Sequence, residues 1–122
     1  MKEIWKDVPT DIYAYGIKDV YQASNTGKIR NKITGRILKF SPYMNDKKRL
    51  KVQLRGRYHE NLTFRPDYVI WETWKDDKTP TAYNKHISRK DYKYDNFNIE
   101  NLYIAGVENW KAYHHDLVKK QH

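Results

Sequence analysis

The sequence predicts an α+β fold, a small antiparallel sheet with a short helix followed by a ββα unit. Two patterns lead to it. Before residue 65, apolar residues alternate with polar ones over short runs bounded by Gly, Asn and Pro, the period of strands that are wet on one face. Beyond it, apolar residues recur at helical spacing in two separate places. The length of 122 residues suits one modest core or two thin ones sharing an interface.

Taken in order, "DVYQASN" and "GKIRN" read as strands joined at Thr26-Gly27, and "GRILKF" follows as a third strand of a tight meander. In "RLKVQLR" the alternation is strict, with Leu50, Val52 and Leu54 on one side and Arg49, Lys51, Gln53 and Arg55 on the other. "HENLTFR" sets Leu62 and Phe64 opposite Asn61, Thr63 and Arg65. Pro66 suits the first position of a helix through "PDYVIWETWK", whose stripe is Val69, Ile70, Thr73 and Trp74. "DDKTP" has the charge and proline of a linking loop, so a boundary is placed near Asp76 to Pro80, dividing the chain into units 1–75 and 76–122. The second unit reads as a strand around Ala82 to Ile87, a polar loop, a strand "NLYIA", and a helix from about Val107 to Lys120 carrying Val107, Trp110, Tyr113 and Leu117 on one flank.

Lys and Arg number 24 against 15 Asp and Glu, a net +9 that favours polyanionic partners, either nucleic acid or an acidic protein surface. The absence of cysteine excludes disulfides, thiolate metal sites and a thiol nucleophile, and fits a reducing cytoplasm. No apolar run approaches the roughly 18 residues of a membrane span, and "MKEIWKDVPT" lacks the apolar segment of a signal peptide, so no membrane partner is expected. Eleven Tyr, four Trp and three Phe supply buried area to a chain that is 32% charged; base stacking is the minority reading for these rings. If the strands share a sheet, Lys28, Arg30, Lys32, Arg49, Lys51 and Arg55 assemble into one basic strip. A merely solvated face is expected to carry mixed charge, so the uniform sign favours binding.

"EIWKDVP", "VYQASNTGKIRNKITGRILK" and "RLKVQLRGRYHENLTFRPDYVIWETW", together Glu3 to Trp74, resemble the nuclease-associated modular domain of phage HNH homing endonucleases. "NFNIENL", with "EN" downstream, resembles the ββα-metal module of the same enzymes. The resemblance implies a sheet that lies on DNA, a metal module that cuts one strand, and a C-terminal helix-turn-helix, which is not expected here because the chain ends at His122. It also implies a stringent site. A His at the end of the module's first strand serves as general base, an Asp or Asn before it binds metal, and an Asn or His on the last helix completes the ligands.

Set on that pattern, Asn96, Asn101, Leu102 and Asp91 fall on matching positions, while the ligand slot holds Ser88 and the general-base slot holds Arg89. A guanidinium accepts no proton, and a neutral hydroxyl is a poor partner for Mg²⁺ or Mn²⁺. Asn109 resembles the helix ligand, at an interval from Leu102 one residue short of the usual, and Asp67 stands where the modular domain commonly has His. His86, three residues before Arg89, is the alternative base, with Asn84 or Asp91 beside it, although three extended residues span about 10 Å. His59, His114, His115 and His122 are expected to be exposed.

The expectation is thus a catalytically degenerate HNH-like protein of phage or mobile-element origin, in the bacterial host cytoplasm. It acts by binding nucleic acid or an acidic surface of a nucleic-acid-processing host enzyme, through the basic strip and through Arg89, Lys90 and Lys93. One alternative is an inhibitor of a host defence nuclease, as anti-CRISPR proteins are. The other is an active nicking enzyme with His86 and Asn109 catalytic and Asp91 and Asn109 holding Mg²⁺ or Mn²⁺; the inert reading needs no cofactor.

Overall fold

A computed structural model describes residues 2–12, 16–75 and 86–105. Eight strands and one α-helix lie within them, the mixed α+β class expected. Strands β1 (Trp5–Asp7), β2 (Tyr21–Ser24) and β3 (Ile29–Asn31) form an antiparallel sheet in the order β1-β2-β3. Strands β4 (Ser41–Tyr43), β5 (Asp46–Arg55) and β6 (Asn61–Phe64) form a second, in the order β4-β5-β6. Helix α1 (Pro66–Trp74) follows, and β7 (His86–Arg89) pairs with β8 (Leu102–Ala105) after a 3-10 turn at Ile99–Asn101.

The expected alternation of β5 is present. Val52 and Leu54 are buried to about 1% exposure, while Gln53 and Arg55 face water. Each such buried aliphatic contributes roughly 1.5–3 kcal/mol relative to an exposed one. At the far end of β5 the two sheets are stitched by backbone: Lys18 N–H donates to the Arg55 carbonyl at 3.0 Å, and Arg57 N–H to the Gly16 carbonyl at 3.0 Å. Helix α1 buries Val69, Ile70, Trp71 and Thr73, and its Trp74 indole N–H donates to the Ala23 carbonyl at 3.1 Å, tying the helix to β2.

Two strands lie where no strand was expected, and one expected strand is missing. β1 and β4 are three residues each, too short for periodicity to register, and β4 contains Pro42, which an edge strand tolerates. "GRILKF" does not form a ladder. It makes one isolated bridge, Arg30 to Ile37, and then leaves the sheet so that Phe40 meets Phe97 edge-on at 5.3 Å.

One hydrophobic cluster runs through both sheets, the helix and the segment around β7 and β8, from Val8 to Leu102. The joint between β2–β3 and the later segment is close. Gly27, at φ +100°, lies where a β-carbon would stand 2.7 Å from the Phe97 carbonyl carbon, and Ile99 N–H donates to the Asn25 carbonyl at 2.9 Å. The expected boundary near 76–80 and the expected helix over 107–120 lie outside the described residues. Among the described residues, no helix is long and apolar enough to cross a membrane.

Candidate functional site

The end of β7 delivers Arg89 to the N-terminal turn of α1. There its Nη1 meets Asp67 Oδ2 at 2.7 Å, and Arg65 Nη2 reaches the same oxygen at 2.8 Å. The other carboxylate oxygen accepts the Tyr68 backbone N–H at 2.8 Å. The Asp67 side chain is 1% exposed and that of Arg89 14%, so this pair is largely removed from water, whereas Arg65 at 53% is not. Arg89 also lies over the Phe97 ring at 4.8 Å, and its Nε is buried with no hydrogen-bond partner. Arg89 and Asp67, which the sequence places 22 residues apart, are therefore opposite charges in contact. Burial pushes the Tyr68 hydroxyl above its ordinary value, so it stays protonated at neutral pH and supplies no substitute base.

Asp91, Asn96 and Asn101 are brought together, and they build a loop. Asp91 Oδ1 accepts from Lys93 N–H at 2.9 Å and Asn101 Nδ2 at 2.9 Å, and Oδ2 accepts from Asn96 Nδ2 at 2.7 Å. The Asn101 side-chain oxygen returns a bond from Asp91 N–H at 3.1 Å. The Asn96 hydrogen bond leads in lowering the Asp91 carboxyl below its ordinary value. This network sets the course of the chain from β7 to β8, within which Tyr92 takes a left-handed φ of 62°.

The donor set among the described residues does not fit a divalent ion. Both Asp91 oxygens are engaged by the loop, Asp67 lies between two guanidiniums, and Ser88 is neutral. Among the described residues, no three His, Cys, Asp or Glu side chains gather as a metal site. Asn84, Asn109, His114, His115, His122 and the His86 side chain lie outside the described residues.

A cleft of about 770 Å³ opens over the Arg89–Asp67 pair. Its β5 wall presents Lys48, Arg49 and Lys51, and Arg65 and Ser88 also line it. Tyr43, Tyr92, Tyr94 and Tyr103 add rings around it. The β4–β5 wall is shaped by a two-residue turn, Met44 and Asn45, at φ 50° and 67°, the left-handed pair that suits a tight hairpin.

The expected basic strip divides accordingly. Arg49, Lys51 and Arg89 come together at the cleft, but Lys28, Arg30 and Lys32 belong to the other sheet, so the six cations of the strip do not share one. These three are engaged locally. Lys28 stands 3.6 Å from Glu3, and Lys32 bonds Asp19 at 3.0 Å and Asp7 at 3.2 Å, which raises its own pKa. Arg30 bonds the Gln22 oxygen and stacks on Trp5 at 4.0 Å. Arg55 donates to the His59 carbonyl at 3.1 Å, and Lys90 and Lys93 are exposed beside the Asp91 loop without lining the cleft. Sequence reasoning missed Lys48, Arg65 and the tyrosines. The run "DYKYDNF" was the available signal, since two tyrosines in a polar loop are poorly placed for a core.

Residues 3–55 match the NUMOD4 motif. The fold of the chain resembles that of a solved HNH homing endonuclease. The solved structure "DNA binding and cleavage by the HNH homing endonuclease I-HmuI" superposes with a TM-score of 0.66 and 20% identity over 97% of this chain. The chain spans 59% of the length of that protein. No curated protein matches it.

Proposed function

We propose that this chain binds nucleic acid through phosphates on an HNH-type scaffold and does not cut. The supporting observation is the Arg89–Asp67 ion pair at 2.7 Å. In this reading Arg89, a cation that accepts no proton and is neutralised by a buried carboxylate, takes the general-base slot. In this reading, residues 1–75 are the DNA-facing module and 76–122 the degenerate cutting module. Lys48, Arg49 and Lys51 supply positive charge along one wall of the cleft, where phosphates displace counterions. I-HmuI binds and cleaves DNA; here binding is kept and cleavage is lost.

The test pairs two assays on the full chain: DNA binding by anisotropy across a salt series, and plasmid nicking with Mg²⁺ or Mn²⁺. Binding that falls steeply with salt, without nicking, is expected. Metal-dependent nicking that disappears in His86→Ala or Asn109→Ala overturns the proposal in favour of an active enzyme. Failure to bind nucleic acid even at low salt overturns it in favour of an acidic protein partner, such as a host defence nuclease.

A further inference from the structure

The cleft combines two chemistries that a duplex does not use together. Its β5 wall carries Lys48, Arg49 and Lys51, of which Lys48 and Arg49 are exposed and Lys51 half-buried. Its rim carries Tyr43, Tyr92 and Tyr94 at 43%, 70% and 44% exposure. Rings left this open contribute little to the core, and the Tyr92 backbone adopts a left-handed φ of 62° that L-residues with bulky side chains disfavour. The Asp91–Asn96–Asn101 network fixes the loop in which Tyr92 and Tyr94 stand. Tyr92 and Tyr94 thus stand on a loop braced by hydrogen bonds, and Tyr43 stands at the end of β4.

An aromatic face attracts another flat face. In a duplex the base faces are covered by their stacked neighbours and only edges reach the grooves. In a single strand the faces are free, and a cationic wall beside aromatic rings is the arrangement that tracks an unpaired backbone while its bases stack. The volume, about 770 Å³, lies within the roughly 300–1,000 Å³ typical of sites that enclose small ligands. It suits one or two unstacked nucleotides.

We infer that this cleft is a single-strand site, with bases stacking on Tyr92 and Tyr94 and phosphates lying along Lys48, Arg49 and Lys51. The inference rests on the nucleic-acid reading above and specifies the form of nucleic acid. Stacking does not depend on sequence, so binding there discriminates little among bases.

The experiment measures the Kd of a fluorescent single-stranded oligodeoxynucleotide, its duplex, and an abasic strand of equal length, at one fixed salt concentration. The normal single strand is expected to bind about tenfold more tightly than the duplex or the abasic strand. Tyr92→Ala and Tyr94→Ala should each weaken single-strand binding about five- to tenfold while leaving duplex binding unchanged, and Tyr92→Phe and Tyr94→Phe should retain it, because the ring rather than the hydroxyl stacks. Circular dichroism checks that the variants fold. Equal binding of single strand and duplex, or Tyr→Ala variants that bind the single strand as the parent does, sinks this inference and leaves the proposed function standing. Absence of binding to all three ligands sinks both.

Discussion

A single carboxylate decides what the centre of this site is. Asp67 is buried and carries the charge that Arg89 requires, because an arginine this far from water with no counter-ion is costly. Asp67→Ala is expected to destabilise the fold by about 3 kcal/mol in urea unfolding, the lower end for a broken buried pair since Arg89 keeps a 14% exposed side chain. Arg65→Ala should cost far less, as its side chain is 53% exposed. Asp91 gives a second test, through pH. Its carboxyl is lowered from 3.8, first by the Asn96 hydrogen bond, so its contribution to stability is fully present above pH 3.8 and is lost as pH falls through the depressed folded value. Side-chain amide resonances of Asn96 and Asn101, followed by NMR, should hold steady down to that pH and move below it; a midpoint at or above 3.8 contradicts the network. Arg89 and Asp67 were each conspicuous in the sequence as departures from a motif. Their contact was not legible, because nothing local indicates that the first turn of one element faces the end of another.

At the scale of elements, Ser88 and Arg89, at the end of β7, take the ligand and general-base slots of a metal module in the proposed reading. Arg89→His combined with Ser88→Asp restores the residue types that the module's chemistry needs, and should raise metal-dependent nicking above that of the parent in a plasmid assay. No gain contradicts the assignment of these slots. The pairing of elements yields a further expectation. Gly27→Ala places a methyl 2.7 Å from the Phe97 carbonyl carbon at a φ of +100°, and is expected to cost about 2 kcal/mol, measured by urea unfolding. Elements with strict alternation or a full helical stripe were readable: β2, β3, β5, β6, α1 and β8 all lie where the residues put them. β1 and β4 are too short for such a signal. The spacing of "GRILKF" in the meander predicts a strand, but Ile37 is 51% exposed and the segment serves instead to carry Phe40 to Phe97.

For the whole molecule, the net charge of +9 misleads unless it is divided by place. Lys28 and Lys32 are paired with Glu3, Asp7 and Asp19 and Arg30 is stacked on Trp5, while Lys48 and Lys51 make no ion pair with described residues. Neutralising Lys48, Arg49 and Lys51 together should flatten the plot of log K against log salt for a single strand by about 2, at roughly 0.7 per phosphate contact. Lys28→Ala and Lys32→Ala should barely change it. Sequence reading saw one belt of charge because alternation tells which side a residue faces within a strand, but not which sheet the strand joins. The seat of Phe97 on Gly27, with Ile99 N–H on the Asn25 carbonyl, bears on kinetics as well. Its two partners are remote in the chain, so most of the loop entropy is spent before their contact gives anything back. The β7–β8 hairpin is therefore expected to dock late, so that shortening Phe97 should speed unfolding more than it slows folding in stopped-flow measurements.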